Sequence, residues 1–97
     1  MVRCRVIGPM VNDVVTLRLP TRIGRAPDVE LPLLDEQASR YHAVLFGKDG
    51  ALWVQDLGSS NGTRLDGAPI GAGVRVQPGQ RIAVGSTQIT ILGNGHV

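Results

Sequence analysis

Short apolar runs, broken by glycine, proline and Asx residues, set the pattern of this chain. Val14-Val15-Thr16-Leu17-Arg18-Leu19 is rich in β-branched residues and stops at Pro20, as a strand does when it meets a residue with no amide donor. Ala43-Val44-Leu45-Phe46 leads through Lys48-Asp49-Gly50 into Leu52-Trp53-Val54-Gln55. Two β-favouring runs joined by Asp-Gly predict a hairpin, because both turn residues tolerate positive φ. Arg81-Ile82-Ala83-Val84 and Gln88-Ile89-Thr90-Ile91-Leu92 flank Gly85-Ser86 and predict another turn between strands. No window of a dozen residues keeps a 3.6-residue period free of Gly or Pro, so no long helix is expected. Turn signals at regular intervals of eight to twelve residues point to an all-β sandwich or barrel. Phe46 and Trp53 read as core residues of that fold.

Composition narrows the class. With 97 residues the chain is one domain, long enough for a single core without staples. An apolar share of 42% is that of a globular protein rather than a disordered one. The thirteen Gly and six Pro punctuate the whole chain, with no repeat, charge block or low-complexity tract. No run approaches the ~20 apolar residues of a membrane span, which predicts a soluble domain with no membrane partner. Met1-Val2-Arg3-Cys4 opens too short an apolar stretch for a signal-peptide core, and a cytoplasmic location is the expectation. The single cysteine, Cys4, has no internal partner and reads as a small buried side chain on an early strand. Gly93-Asn94-Gly95-His96-Val97 reads as a flexible tail or the start of a linker, leaving 1–92 as the folded domain.

The net charge of +2 is too small to predict nucleic-acid binding by itself. Nine of the ten cations are arginine, the side chain whose planar fork grips phosphate and carboxylate. Most of these arginines read as solvated surface; Arg25 and Arg40 stand apart because of their neighbours.

Three loop-like blocks carry the candidate chemistry: Ile23-Gly24-Arg25, then Ser39-Arg40-Tyr41-His42, then Asp56-Leu57-Gly58-Ser59-Ser60-Asn61-Gly62-Thr63. They place arginines, hydroxyls and an asparagine amide between strand-like runs. An arginine fork with hydroxyl and amide donors suits a phosphate dianion. Each block also has a plainer reading. Asn61-Gly62 is a strong tight-hairpin signal, with Ser59, Ser60 and Thr63 bonding their own backbone. Gly24-Arg25 reads equally as a strand end with a solvated arginine. His42 has no second His or Cys at metal spacing, so it reads as a packed histidine bracing nearby loops, and no metal is expected.

Two enzymatic patterns fail on physical grounds. Gly58-Ser59-Ser60-Asn61-Gly62 fits the G-x-S-x-G form, with Asp66 and His96 following in hydrolase order. The nucleophile elbow needs a strand before it and a helix after it, and Asp66-Gly67-Ala68-Pro69 cannot open a helix of useful length. Gly47-Lys48-Asp49 lacks the leading glycine spacing and the Ser/Thr of a phosphate-binding loop. Neither catalysis nor a nucleotide cofactor is expected.

Taken together, Gly24-Arg25, Ser39-Arg40-Tyr41-His42, Gly58-Ser59-Ser60-Asn61-Gly62-Thr63 and Asp66-Gly67 resemble the forkhead-associated (FHA) domain, a family of phospho-motif readers. The likeness spans nearly the whole chain. It implies an antiparallel β-sandwich of about eleven strands with its binding loops at one end. It implies a non-catalytic module that binds a phosphothreonine-containing protein or peptide made by a Ser/Thr kinase. By the same likeness, Arg25 grips the phosphate and Ser39 donates a second bond. Arg40 contacts the phosphate or peptide main chain, and Ser60 donates a hydroxyl or amide. Asn61 clamps the peptide backbone. Gly24, His42, Gly62 and Thr63 support the loops. Gln37 matches the position that reads the third residue after the phosphothreonine, where its neutral amide sets no charge preference. Asp35 and Glu36, if they face the groove, disfavour acidic peptides. Two departures, Asp66-Gly67 for the commoner Asn-Gly and Pro78-Gly79-Gln80 for Gly-Asp, fall at turns.

Two rival readings remain. One is a scaffold that docks a partner without phosphate, through a sheet face. The other is a nucleic-acid binder, suggested by a pI near 9.3 but short of aromatic residues to stack on bases. A monomeric domain is the expectation.

Overall fold

The computed structural model describes residues 1–93, and these form eleven strands in two sheets. In chain order they are β1 (Val2–Gly8), β2 (Val11–Leu17), β3 (Thr21–Gly24), β4 (Leu31–Pro32), β5 (Ala43–Lys48) and β6 (Ala51–Asp56). The remainder are β7 (Thr63–Leu65), β8 (Ala68–Ile70), β9 (Val74–Val76), β10 (Arg81–Val84) and β11 (Thr87–Gly93). One sheet has the order β2-β1-β11-β10-β7-β8 and the other β4-β3-β5-β6-β9. Pairing is antiparallel except between β3 and β4. The expected all-β sandwich is the fold observed. Gly93, expected to begin the tail, ends β11, and the rest of that expected tail, 94–97, lies outside the described residues.

Strict alternation explains why the sheets face each other. β1 reads buried-exposed along Val2, Arg3, Cys4, Arg5 and Val6, and β11 does the same from Thr87 to Ile91. Side chains of alternate residues leave a strand on opposite faces, so one face collects the apolar set. The core is aliphatic: Ile23, Leu45, Leu52, Val54, Ile82, Ile89 and Ile91 are fully enclosed. Cys4 is enclosed with them, and burial pushes its thiol up to about 11, which removes the thiolate that a reactive cysteine needs.

The aromatic expectation is corrected. Phe46 and Trp53 face each other across β5 and β6 but are only half-buried, on the sheet's outer side. Their partners in the alternation, Leu45, Leu52 and Val54, take the inward places. The pair packs instead against Gly73, and Lys48 Nζ lies 5.6 Å from the Trp53 ring centre.

The Asp49-Gly50 hairpin is present, with φ of 53° and 72° at its two turn residues. Asn61-Gly62 is not a tight hairpin. Its flanking strands, β6 and β7, belong to different sheets, so residues 57–62 cross the end of the sandwich as an open loop. Only Gly62 (φ 79°) and Gly58 (φ 76°) take left-handed conformations there. That crossing places the loop beside the β3–β4 and β4–β5 loops.

Candidate functional site

Gly24 ends β3 at the point where the β4–β5 loop crosses it. A Cβ on Gly24 would lie 2.1 Å from the Arg40 carbonyl oxygen and 2.8 Å from that of Ser39. Only glycine permits that approach. The contact is sealed by Arg25 N–H donating to Ser39 O at 3.0 Å and Ala26 N–H to Arg40 O at 3.1 Å. The two loops are therefore cross-linked main chain to main chain on either side of Arg25.

Arg25 itself is exposed, yet its guanidinium is aimed. Nε donates to Ala38 O at 2.7 Å, so one edge of the fork is fixed and the two terminal nitrogens are left for a ligand. Arg40 is exposed beside it. The third loop joins through Ser60, whose amide donates to Ser39 Oγ at 3.0 Å. That occupies the Ser60 amide and leaves the Ser60 and Ser39 hydroxyl hydrogens free to donate. Asn61 Nδ2 donates to Gln37 O at 2.8 Å, which leaves Asn61 Oδ1 without a protein partner among the described residues. Arg25, Ser39, Arg40, Ser60, Asn61 and Gln37 are thus brought together at one end of the sandwich. A depression of about 270 Å³, lined in part by Gln37, Asn61 and Arg64, adjoins them.

Buried side chains hold these loops from beneath. His42 is fully enclosed. Its Nδ1 accepts from Ser39 N–H at 2.9 Å, and its Nε2 lies 2.8 Å from Gly62 O. Since Nδ1 accepts, the ring proton sits on Nε2 and donates to Gly62, so the neutral ring spans two of the loops. Leu57 N–H donates to His42 O at 2.9 Å and reinforces the same junction.

Asp56 performs a similar task within the third loop. Its carboxylate accepts from the Gly58 and Ser59 amides, both at 3.0 Å, from the Ser59 hydroxyl, and from Thr63 Oγ1 at 2.7 Å. Burial pushes this carboxyl up, but those hydroxyls and amides outweigh it and hold it below its ordinary value. Asp35 repeats the arrangement in the second loop, accepting from Gln37 N–H at 3.0 Å, Ser86 N–H at 2.8 Å and Thr87 Oγ1 at 2.7 Å. Burial again acts upward and is again outweighed, and Asp35 stays anionic. The condition set for Asp35 is not met, since it is 3% exposed and ties the loop to the β10–β11 turn instead of facing the groove. Glu36 is exposed.

Sequence reasoning assigned Asp56 and Asp35 no bracing role. For Asp56 the signal existed, since an Asp followed by Gly and Ser two and three residues on is a side-chain-to-backbone turn. For Asp35 the principal partner lies 52 residues away, beyond any local pattern. Tyr41 is likewise engaged: its hydroxyl donates to the Asp28 carboxylate at 2.9 Å. The neighbouring Arg22–Glu30 pair, with two N–O contacts of 3.0 Å, holds the base of the first loop.

The hydrolase pattern finds no support in this geometry. Asp66 sits in the β7–β8 turn, where its oxygens accept from Arg81 N–H at 2.9 Å and Gln80 Nε2 at 3.0 Å. Ser60 stands on a loop between two strands, with no helix after it. His96 lies outside the described residues.

A β-sandwich whose end-loops interlock through Gly24, Ser39, His42 and the Ser59–Thr63 segment is a specific signature. The sequence pattern of the FHA domain matches residues 21–85. The chain belongs to the FHA domain family. One curated relative, FHA domain-containing protein FhaB of Mycobacterium tuberculosis (strain ATCC 25618 / H37Rv), is 44% identical over 85 residues. That alignment covers 87% of this chain and 55% of FhaB, so the chain spans about half the length of the relative. A structure from an analysis of phosphothreonine-dependent FHA domain interactions superimposes with a TM-score of 0.84 at 26% identity, covering 96% of each chain. Mycobacterium tuberculosis EmbR in complex with a low-affinity phosphopeptide gives a TM-score of 0.80 at 27% identity, over 92% of this chain and 24% of EmbR. FHA domains are phospho-motif readers without catalysis of their own. No helix of the described residues is long and apolar enough to cross a membrane.

Proposed function

We propose that this FHA domain reads phosphothreonine in a protein partner modified by a Ser/Thr kinase, and so recruits that partner. The observation that carries this reading is the aimed Arg25 fork beside two free hydroxyls, on loops locked to one another. Arg25 and the Ser39 hydroxyl take the phosphate oxygens, with Arg40 alongside. The Ser60 hydroxyl donates next to them. Asn61 accepts a peptide N–H through Oδ1, its Nδ2 being held by Gln37. Gln37 contacts the residues that follow the phosphothreonine. The relatives determined with phosphopeptide or studied for phosphothreonine-dependent binding support the ligand class. The working form is a monomeric domain over 1–92 in the cytoplasm, with no cofactor or metal in its action.

The test is a titration against degenerate phosphothreonine, phosphoserine and unphosphorylated peptide pools. Micromolar binding restricted to the phosphothreonine pool is expected. One extra buried methyl is worth only ~0.8 kcal/mol, about fourfold, so preference beyond that comes from rotamer and orientation. Equal binding to all three pools refutes the reading.

A further inference from the structure

We propose that the outer face of the six-stranded sheet is a second docking surface, built for an acidic polypeptide segment that also carries aliphatic side chains. Strand alternation puts Arg3 and Arg5 of β1, Arg81 of β10 and Arg64 of β7 on this face, all exposed. Register makes them neighbours. Arg5 pairs with Thr90 and Thr90 with Arg81, so the three occupy one cross-strand row. Adjacent strands are ~4.8 Å apart, which sets Arg5 and Arg81 roughly 10 Å apart. Ala83 pairs with both Gln88 and Arg64, extending the face toward β7.

Among the described residues Asp66 is the carboxylate that borders this face, beside Arg81. Asp13 on β2 pairs with the inward-facing Val6 and so belongs to the other side. Asp66 lies at the margin, in the β7–β8 turn, with its oxygens taken by Arg81 N–H and Gln80. The ion pair among the described residues is Arg22–Glu30, on the other sheet. With Asp66 counted, the face carries four arginines against one carboxylate, and elsewhere six cations stand against seven carboxylates, so the +2 of the whole chain is a face of +3 set on a remainder of −1. Charge segregated in this way selects an acidic partner.

The remaining side chains decide what kind of acidic partner. Ile7 and Val14 are each 44% exposed on this face, Val14 directly opposite Arg5, and Leu92 is 39% exposed at the end of β11. Arginine interspersed with aliphatic side chains is a protein-contact composition. Nucleic acid would call for aromatic side chains to stack its bases, and none of Tyr41, Phe46 or Trp53 lies on this sheet. Neither Arg25 nor Arg40 belongs to the face, so the proposal stands independently of the phosphothreonine reading.

Fluorescence anisotropy with a labelled probe peptide of alternating Glu and Leu tests it. Comparators are the same peptide with Gln for Glu and a labelled duplex oligonucleotide. Salt-sensitive binding of the acidic probe is expected, weakened at least tenfold by Arg5→Glu/Arg81→Glu and unchanged by Arg25→Ala. Amide shifts on titration should map to β1, β10 and β11. If the charge-reversed variant does not fold, Arg5→Gln/Arg81→Gln serves, with a loss of at least threefold expected. Absence of binding, equal binding by the variants, equal binding of the Gln peptide, or loss on Arg25→Ala overturns the proposal. Tighter binding of the oligonucleotide, abolished by the same variants, overturns it in favour of nucleic acid.

Discussion

Replacing Arg25 by alanine distinguishes a phosphate grip from a structural prop. In the free domain the Arg25 side chain makes one bond, from Nε to Ala38 O at 2.7 Å. Loss of one such bond at an exposed site costs ~1 kcal/mol of stability, a fall of roughly 4–8 °C in Tm for a domain of this size. Loss of the ligand contacts is larger. Two terminal nitrogens on a phosphate make two charge-assisted bonds of ~1.5–3 kcal/mol each. Water and the remaining donors at Ser39, Arg40 and Ser60 recover part of that. A net loss of about 2–4 kcal/mol, roughly thirty- to several-hundred-fold in Kd, is expected. Arg25→Lys keeps the charge but loses the Nε anchor and the fork, and should fall between wild type and alanine. The assay is calorimetric titration with one phosphothreonine peptide, alongside a thermal melt of each variant. A folded Arg25→Ala domain whose affinity lies within threefold of wild type would refute the reasoning.

Two further outcomes concern the frame of the site. Gly24→Ala drives a Cβ to 2.1 Å from the Arg40 carbonyl oxygen, and the obstacle is main chain that cannot rotate away. A loss of about 3 kcal/mol or more is expected, over 10 °C in Tm, and a fall of less than about 3 °C would count against the crossing as described. Asp56 is held below its ordinary value in the folded state, so the stability it contributes is present above the unfolded carboxyl value of ~3.9 and is lost as pH falls through the lowered folded value. Asp56→Asn should be less stable than wild type at pH 7, with the gap closing toward pH 2 in urea titrations, whereas a constant gap across that range would show that the carboxylate is not linked to folding.

What the sequence disclosed and what it hid follow one physical divide. Alternation is a local signal, so β5 and β6 and their Asp49-Gly50 turn were legible. β2 was placed three residues late, because Asn12 and Asp13 weaken its apolar pattern while its pairing with β1 carries it back to Val11. β7, β8 and β9 have three residues each, too few for an alternation to declare itself. Asn61-Gly62 misled because a turn dipeptide reports its own φ preferences and not whether the chain returns to the same sheet. Phe46 and Trp53 misled because hydrophobicity does not say which face of a strand is inward; the register with Leu45 and Leu52 decides that. The exposed donors could be named from spaced motifs, but Asp35 could not be given its role, since it acts through Ser86 and Thr87 from across the fold.

The site divides its polar groups by burial, and that division has a consequence for binding. Asp35, Asp56 and the neutral ring of His42 are bonded to backbone of the loops they carry, and none offers a group to a ligand. Arg25, Ser39, Ser60 and Asn61 are anchored by hydrogen bonds to neighbouring loops and keep further donor or acceptor capacity. Loops locked before the ligand arrives lose little conformational freedom on binding, so the contacts at the surface are realised as affinity. Damage to the two layers should therefore look different. A brace removed from beneath, such as His42, loosens the two loops its ring joins and weakens every peptide alike. A surface donor removed, such as Arg25, weakens phosphorylated peptides and leaves unphosphorylated ones unchanged. The ratio of phosphorylated to unphosphorylated affinity thus separates residues that grip from residues that hold the grip in shape, whatever the absolute Kd.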